Sequence, residues 1–232
     1  MNDRSVSIPQ SPLVVGSVDQ LDQLTCLQPD GLSGLCDLLE VRLDGMSAHM
    51  DMLEAELDRF EGIPLLFTAR GSAEGGLVEL SAKARADLLL AVCRRASWID
   101  VELASFADMA DAIDQIRGEG VGLILSYHNC QETPTEQDMQ NLVKLCEDAD
   151  IVKLALHHNQ VEDLVRCTRI LQENDRPMSV MGMGPLGPVS RLLYAQHGSL
   201  LNYGYLGDQA TAPGQWPAKL LKEAIAAVES ID

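Results

Sequence analysis

The chain has 232 residues, 46% of them hydrophobic, and 17 Lys and Arg against 35 Asp and Glu leave a net charge of −18. That length holds one large domain or two small ones, the composition argues against disorder, and the charge argues against nucleic acid or an anionic membrane as partner. The opening MNDRSVSIPQSP lacks the apolar core of a secretory signal, no run is long enough to span a bilayer, and six scattered cysteines without a CxxC pair read as free thiols in a cytoplasmic protein.

Taken in order, short apolar runs alternate with amphipathic stretches. Strands are predicted at Leu13–Gly16, Leu38–Leu43, Pro64–Thr68, Trp98–Leu103, Gly122–Tyr127, Ile151–Leu156, Met178–Met181 and Leu201–Tyr205. The helices between them begin with a short one, Val18–Leu24. Ser47 is read as the cap of a helix through Phe60, and Ser81 as the cap of one ending near Arg95. A helix after Leu103-Ala104 ends near Gly118. Thr133-Pro134 is read as a cap with an N1 proline for a helix ending near Asp148, and further helices span Val161–Glu173, Val189–His197 and Ala218–Glu229. Residues 1–12 are expected to be a flexible or partly ordered lead-in. Eight unbroken alternations predict an α/β fold, a single-domain (β/α)8 TIM barrel. The competing open doubly wound sheet usually carries a glycine-rich first turn, which Val15-Gly16-Ser17-Val18 is not.

Strand side chains alternate between barrel interior and helix layer. That parity puts Glu40, Arg42 and Asp44 on one face of the second strand, Leu66, Thr68 and Arg70 on one face of the third, and Asp100 with Glu102 in the fourth. Ser126 and His128 follow in the fifth and Lys153, alone among apolar neighbours, in the sixth. Barrel enzymes place their chemistry at the C-terminal ends of the strands. A neutralised core network accounts for any one pair of these charges, but not easily for five successive strands that include a lysine and a histidine.

Lys153 is the most informative residue. Burial and nearby positive charge from Arg42 and Arg70 favour a free amine, which attacks a ketone to give an iminium that acidifies the adjacent C–H. His128, one strand away, is positioned to move protons, with Glu102 expected to orient its imidazole. After the seventh strand, Met181-Gly182-Met183-Gly184-Pro185-Leu186-Gly187-Pro188 opens a helix bearing Arg191, a candidate carboxylate holder. After the eighth, Thr211 and Gln215 offer neutral groups suited to hydroxyls. These features point to a small anionic substrate. His157-His158 read as surface or rim residues, since no cysteine or acid stands at ligand spacing, and no metal site is expected.

The motifs Glu40-Val41-Arg42-Leu43-Asp44, Thr68-Ala69-Arg70 with Glu74-Gly75-Gly76, Asp100-Val101-Glu102-Leu103, Ser126-Tyr127-His128, Val152-Lys153-Leu154-Ala155, Met181-Gly182 through Ser190-Arg191, and Ala212-Pro213-Gly214-Gln215 resemble, in order, those of type I 3-dehydroquinate dehydratases. The resemblance implies a cofactor-free syn dehydration of 3-dehydroquinate to 3-dehydroshikimate in the shikimate pathway, and a homodimer. It assigns the imine to Lys153, general acid/base work to His128 and its assistance to Glu102. Substrate contacts fall to Glu40, Arg42, Arg70, Arg191, Thr211 and Gln215. Asn129 stands where the family usually has an acid, Cys130 where it has an aromatic, and Thr211 where it has serine. The alternatives are another Schiff-base barrel enzyme of aldolase or transaldolase type, or a barrel that only binds a metabolite.

Overall fold

The computed structural model describes residues 7–212 and 214–231, so residues 1–6 of the expected lead-in, Pro213 and Asp232 lie outside the described part. The strands are β1 (Leu13–Val18), β2 (Leu38–Arg42), β3 (Leu65–Thr68), β4 (Trp98–Glu102), β5 (Gly122–Asn129), β6 (Ile151–His157), β7 (Met178–Met183) and β8 (Leu201–Tyr205). All neighbours pair in parallel, in the order β7-β6-β5-β4-β3-β2-β1-β8. The two ends of that order meet where the Leu200 N–H donates to the Met178 carbonyl at 2.8 Å and the Ser179 hydroxyl to the Leu201 carbonyl at 2.5 Å. The fold is the expected (β/α)8 barrel.

The α-helices among the described residues are α1 (Leu21–Cys26), α2 (Leu43–Met46), α3 (Met50–Leu57), α4 (Ala82–Val92), α5 (Ala110–Gly118), α6 (Glu136–Leu145), α7 (Val161–Glu173), α8 (Gly187–Gln196) and α9 (Ala218–Glu229). Three local expectations are corrected. The first helix starts at Leu21 because β1 continues through Val18. Ser47 caps nothing: its hydroxyl donates to the Asp44 carbonyl, and a 3-10 turn over Ser47–His49 precedes α3. The cap of α6 is Thr135, whose Oγ1 accepts the Asp138 N–H at 3.2 Å, and not Thr133, so Pro134 precedes the helix instead of opening it. The Thr133 hydroxyl is already committed to the His157 carbonyl and the His158 ring. Ser81 does cap α4, accepting from the Ala84 N–H at 3.2 Å.

The period-two pattern divides the apolar side chains into two cores separated by the barrel wall. Val41, Phe67, Ile99, Val101, Leu123, Leu125, Val152 and Leu154 face outward and pack under the helices. Inside, Leu38, Leu66, Trp98, Ile124, Ile151 and Leu201 fill the lower barrel, with Ile8 packed against them. Fully burying such side chains stabilises the fold by roughly 1.5–3 kcal/mol each. The interior floor is thus apolar and buried, and the polar residues of the same strand faces stand above it.

Candidate active site

One layer above the floor, ionisable groups replace the aliphatic ones. Register places Thr68 beside Asp100 and Ser126 beside Lys153. Lys153 Nζ donates to Asp100 Oδ2 at 2.8 Å, and Arg70 Nη2 reaches that same oxygen at 2.9 Å. The lysine is therefore ion-paired, where the sequence suggested an amine among positive neighbours only. Burying a lone lysine is costly, and a carboxylate two strands away offsets part of that cost. The two cations hold the Asp100 carboxyl below the usual carboxylate range despite its burial. Ser126 Oγ completes this layer, donating to Asp100 Oδ1 at 2.6 Å and accepting from Arg70 Nη1 at 2.7 Å. Glu40 accepts from Ser17 at 2.5 Å and from Thr68 at 2.8 Å.

His128 stands at the end of β5, and its carboxylate partner is Glu74, not the expected Glu102. Glu74 Oε2 lies 2.8 Å from His128 Nδ1 and accepts the His128 backbone N–H at 3.0 Å. That oxygen already takes one N–H, so the ionised carboxylate favours the tautomer with Nδ1–H as a second donor and Nε2 left as the basic nitrogen. Burial pushes the Glu74 carboxyl up to about 7, and burial, with Arg70 and Lys153 nearby, pulls the imidazole well below its usual value. Both shifts disfavour charge at the pair.

Glu102 does different work. It accepts the Gly71 N–H at 2.7 Å, Arg70 Nη1 at 3.2 Å and the Arg85 guanidinium that rises from α4. Asp44 takes the Arg70 and Leu77 N–H groups at 3.1 and 2.9 Å, and Arg42 Nη2 donates to the Gly75 carbonyl at 3.2 Å. These bonds moor the loop after β3 at both ends. A 3-10 turn over Ser72–Glu74, closed by Gly75 at φ 91°, then carries Glu74 to the ring. A left-handed φ of that kind is adopted readily by glycine alone. The Glu74-Gly75-Gly76 motif was the sequence signal for this contact. Strand parity gives Glu74 no direction, because the residue lies beyond the end of β3.

These groups line a cavity of about 210 Å³ at the C-terminal mouth, shared by Lys153, His128, Glu40, Arg42, Arg70, Arg191, Thr211 and Gln215. Of the residues to which the resemblance assigns a catalytic or substrate-binding role, Glu102 alone is absent from its lining. Arg191 is 2% exposed, donates from Nη1 to the Tyr203 carbonyl at 2.7 Å, and leaves Nε without a partner among the described residues. Burial brings it down to about 10 with no acidic neighbour contributing, the mark of a cation waiting for an anion. Gln215 Oε1 accepts both the Thr211 N–H at 2.9 Å and its hydroxyl at 2.7 Å.

The histidine pair after β6 also departs from expectation. His158 is fully buried, not at the rim. The Thr133 hydroxyl donates to the His157 carbonyl at 2.8 Å, so it accepts from His158 Nδ1 at 2.7 Å, and Nε2 accepts from the Tyr194 hydroxyl at 2.8 Å. A Cβ at Gly182 would lie 2.3 Å from this ring. Periodicity could not reveal it, because the residue stands one place beyond the strand. No cluster of three or more metal-ligating His, Cys, Asp or Glu occurs among the described residues, and none of their helices is long and apolar enough to cross a membrane.

A buried lysine–carboxylate pair and an imidazole–carboxylate pair share the C-terminal mouth of a (β/α)8 barrel with an arginine that has no acidic partner among the described residues, and together they define a lysine-centred barrel site. The type I 3-dehydroquinase family model matches residues 18–232, and the chain belongs to that family. It is 30% identical over 215 residues to the 3-dehydroquinate dehydratase of Methanocella arvoryzae, covering 92% of this chain and 95% of the relative. The crystal structure of the 3-dehydroquinate dehydratase of Geobacillus kaustophilus superposes with a TM-score of 0.84 at 26% identity, over 95% of this chain and 92% of that one. That of Aquifex aeolicus gives 0.80 at 25%, over 93% and 98%.

Proposed function

We propose that this chain dehydrates 3-dehydroquinate to 3-dehydroshikimate in the shikimate pathway, through an imine on Lys153. The observation that carries this reading is the amine of Lys153, sheltered inside the barrel in the same cavity as the His128 ring. In the first step the free amine of Lys153 adds to the ketone carbon. One amine proton, and the proton that the resting ammonium first gave to the His128 ring, carry the carbonyl oxygen off as water and leave the nitrogen positive as an iminium. His128 takes a proton from the neighbouring carbon, and the electron pair collapses into an enamine. The same ring then delivers that proton to the departing hydroxyl, which leaves as water on the same face. Hydrolysis of the conjugated iminium returns the amine.

Arg191 takes the substrate carboxylate in this scheme. Glu40, Arg42, Thr211 and Gln215 hold hydroxyls, and Glu74 orients the ring. Both terminal nitrogens of Arg70 are already committed to Asp100, Glu102 and Ser126, so it sets the field around the lysine as well as lining the cavity. The family resemblance further supports a homodimer, and the scattered unpaired cysteines a cytoplasmic chain, checked by sedimentation and by localisation of a tagged chain. The direct test of the chemistry mixes the protein with 3-dehydroquinate and borohydride and maps the reduced adduct by peptide mass. An adduct on Lys153 is the expected result; one on another residue, or none, overturns the imine route.

A further inference from the structure

We infer that the ring face of Tyr203 is a catalytic element of this site, stabilising positive charge on the Lys153 nitrogen. Resting on the imine reading for its catalytic consequence, the inference starts from a contact that no step above uses. Lys153 Nζ lies over the Tyr203 ring, 3.9 Å from its centroid. The lysine side chain is 5% exposed and the tyrosine 3%, so little water competes for the charge. A cation over an aromatic face is attracted by the ring quadrupole, most strongly where both partners are desolvated. The nitrogen is then held from two sides, by Asp100 Oδ2 at 2.8 Å and by the ring.

The ring is itself locked in place. Its backbone carbonyl accepts from Arg191 at 2.7 Å, and the side chain packs in the interior cluster with Val15, Met181 and Leu201. The phenol hydroxyl, by contrast, is buried without a partner among the described residues. A buried orphan hydroxyl destabilises a fold, so the hydroxyl's own bonding does not explain the tyrosine. An aromatic face does. The positive charge on nitrogen is present in the resting ammonium and returns in the iminium, the electron sink for proton removal, and the same face serves both states.

The test replaces Tyr203 with phenylalanine and then with 4-fluoro-, 3,5-difluoro- and 3,4,5-trifluorophenylalanine. This series drains electron density from the ring face with little change of shape. The readouts are the pH midpoint of Lys153 carbamylation by cyanate, followed by peptide mass, and kcat for dehydration. Tyr203→Phe keeps the ring and is expected to keep the parent midpoint. Along the fluorinated series the midpoint is expected to fall by roughly half to one pH unit. Over the same series kcat is expected to fall about two- to thirtyfold. Tyr203→Leu should match the trifluoro variant, and if it does not fold the isosteric series decides alone.

A flat midpoint across the series overturns the inference. So does a midpoint already displaced in Tyr203→Phe, which would make the hydroxyl the active part. A midpoint that moves while kcat stays level confines the ring to the resting ammonium and removes it from catalysis. Carbamylation needs no imine, so the borohydride result on the parent separates the two claims: failure there sinks the imine reading, whereas a flat series after successful trapping sinks only the ring.

Discussion

Glu74 engages His128 twice through one oxygen, Oε2, 3.0 Å from the backbone nitrogen and 2.8 Å from Nδ1. The backbone bond fixes the carboxylate to the end of β5, and the ring then orients against a group already in place. Burial pushes the carboxyl up to about 7, and so close a pair titrates as a unit. Its ionised, ring-orienting form therefore builds up as pH rises through neutrality. Glu74→Gln is expected to lower kcat about ten- to hundredfold and to erase the acid-side inflection of kcat/KM near pH 7. A pH profile that keeps the inflection would assign it to another group.

Lys153→Ala is expected to abolish turnover without unfolding the chain. Asp100 keeps Arg70 at 2.9 Å and Ser126 at 2.6 Å when the amine is gone, so no buried charge is left alone. Loss of enone absorbance with an unchanged circular dichroism spectrum is the expected pair of results. Measurable dehydration by this variant would eliminate the imine route.

Among the described residues, Arg191 is a buried cation with a free Nε and no acidic partner. Arg191→Met is expected to raise KM for the anionic substrate by roughly ten- to a hundredfold, the loss of charge-assisted hydrogen bonds worth about 1.5–3 kcal/mol. Because this bonding is shared by ground and transition states, kcat should change far less. A collapse of kcat at unchanged KM would show that the arginine acts on the reacting atoms instead.

Glu102 moors the loop through Gly71, Arg70 and Arg85. Glu102→Gln is expected to loosen that loop, lowering kcat and making backbone amides 71–76 exchange faster with deuterium. An unchanged exchange pattern with a large kcat loss would return Glu102 to direct contact with the chemistry.

His158 is buried neutral, and burial drops it from 6.5 to about 4. The sign follows from linkage: the folded-state value is depressed, so the contribution is fully present above pH 6.5 and is lost as pH falls towards 4. The shift is worth about 3 kcal/mol. Urea unfolding is expected to show the parent losing about that much more stability than His158→Gln between pH 7 and pH 4. Parallel curves for the two proteins would mean that the ring binds its proton equally well folded and unfolded.

Much of this protein was legible in one dimension. Alternation of apolar runs determined the barrel, and period-two parity determined that Glu40, Asp100, Ser126 and Lys153 face inward, since a strand residue's side follows from counting. Folding alone decided the pairings. Parity assigns a face but no partner, so it could neither tell that Asp100 holds Lys153 nor choose between Glu74 and Glu102 for His128. The chosen carboxylate comes from a turn 54 residues earlier in the chain, delivered by loop bonds that have no sequence period. The same holds for His158, which the fold buries, and for Tyr203, whose place under an amine exists only once the sheet has closed.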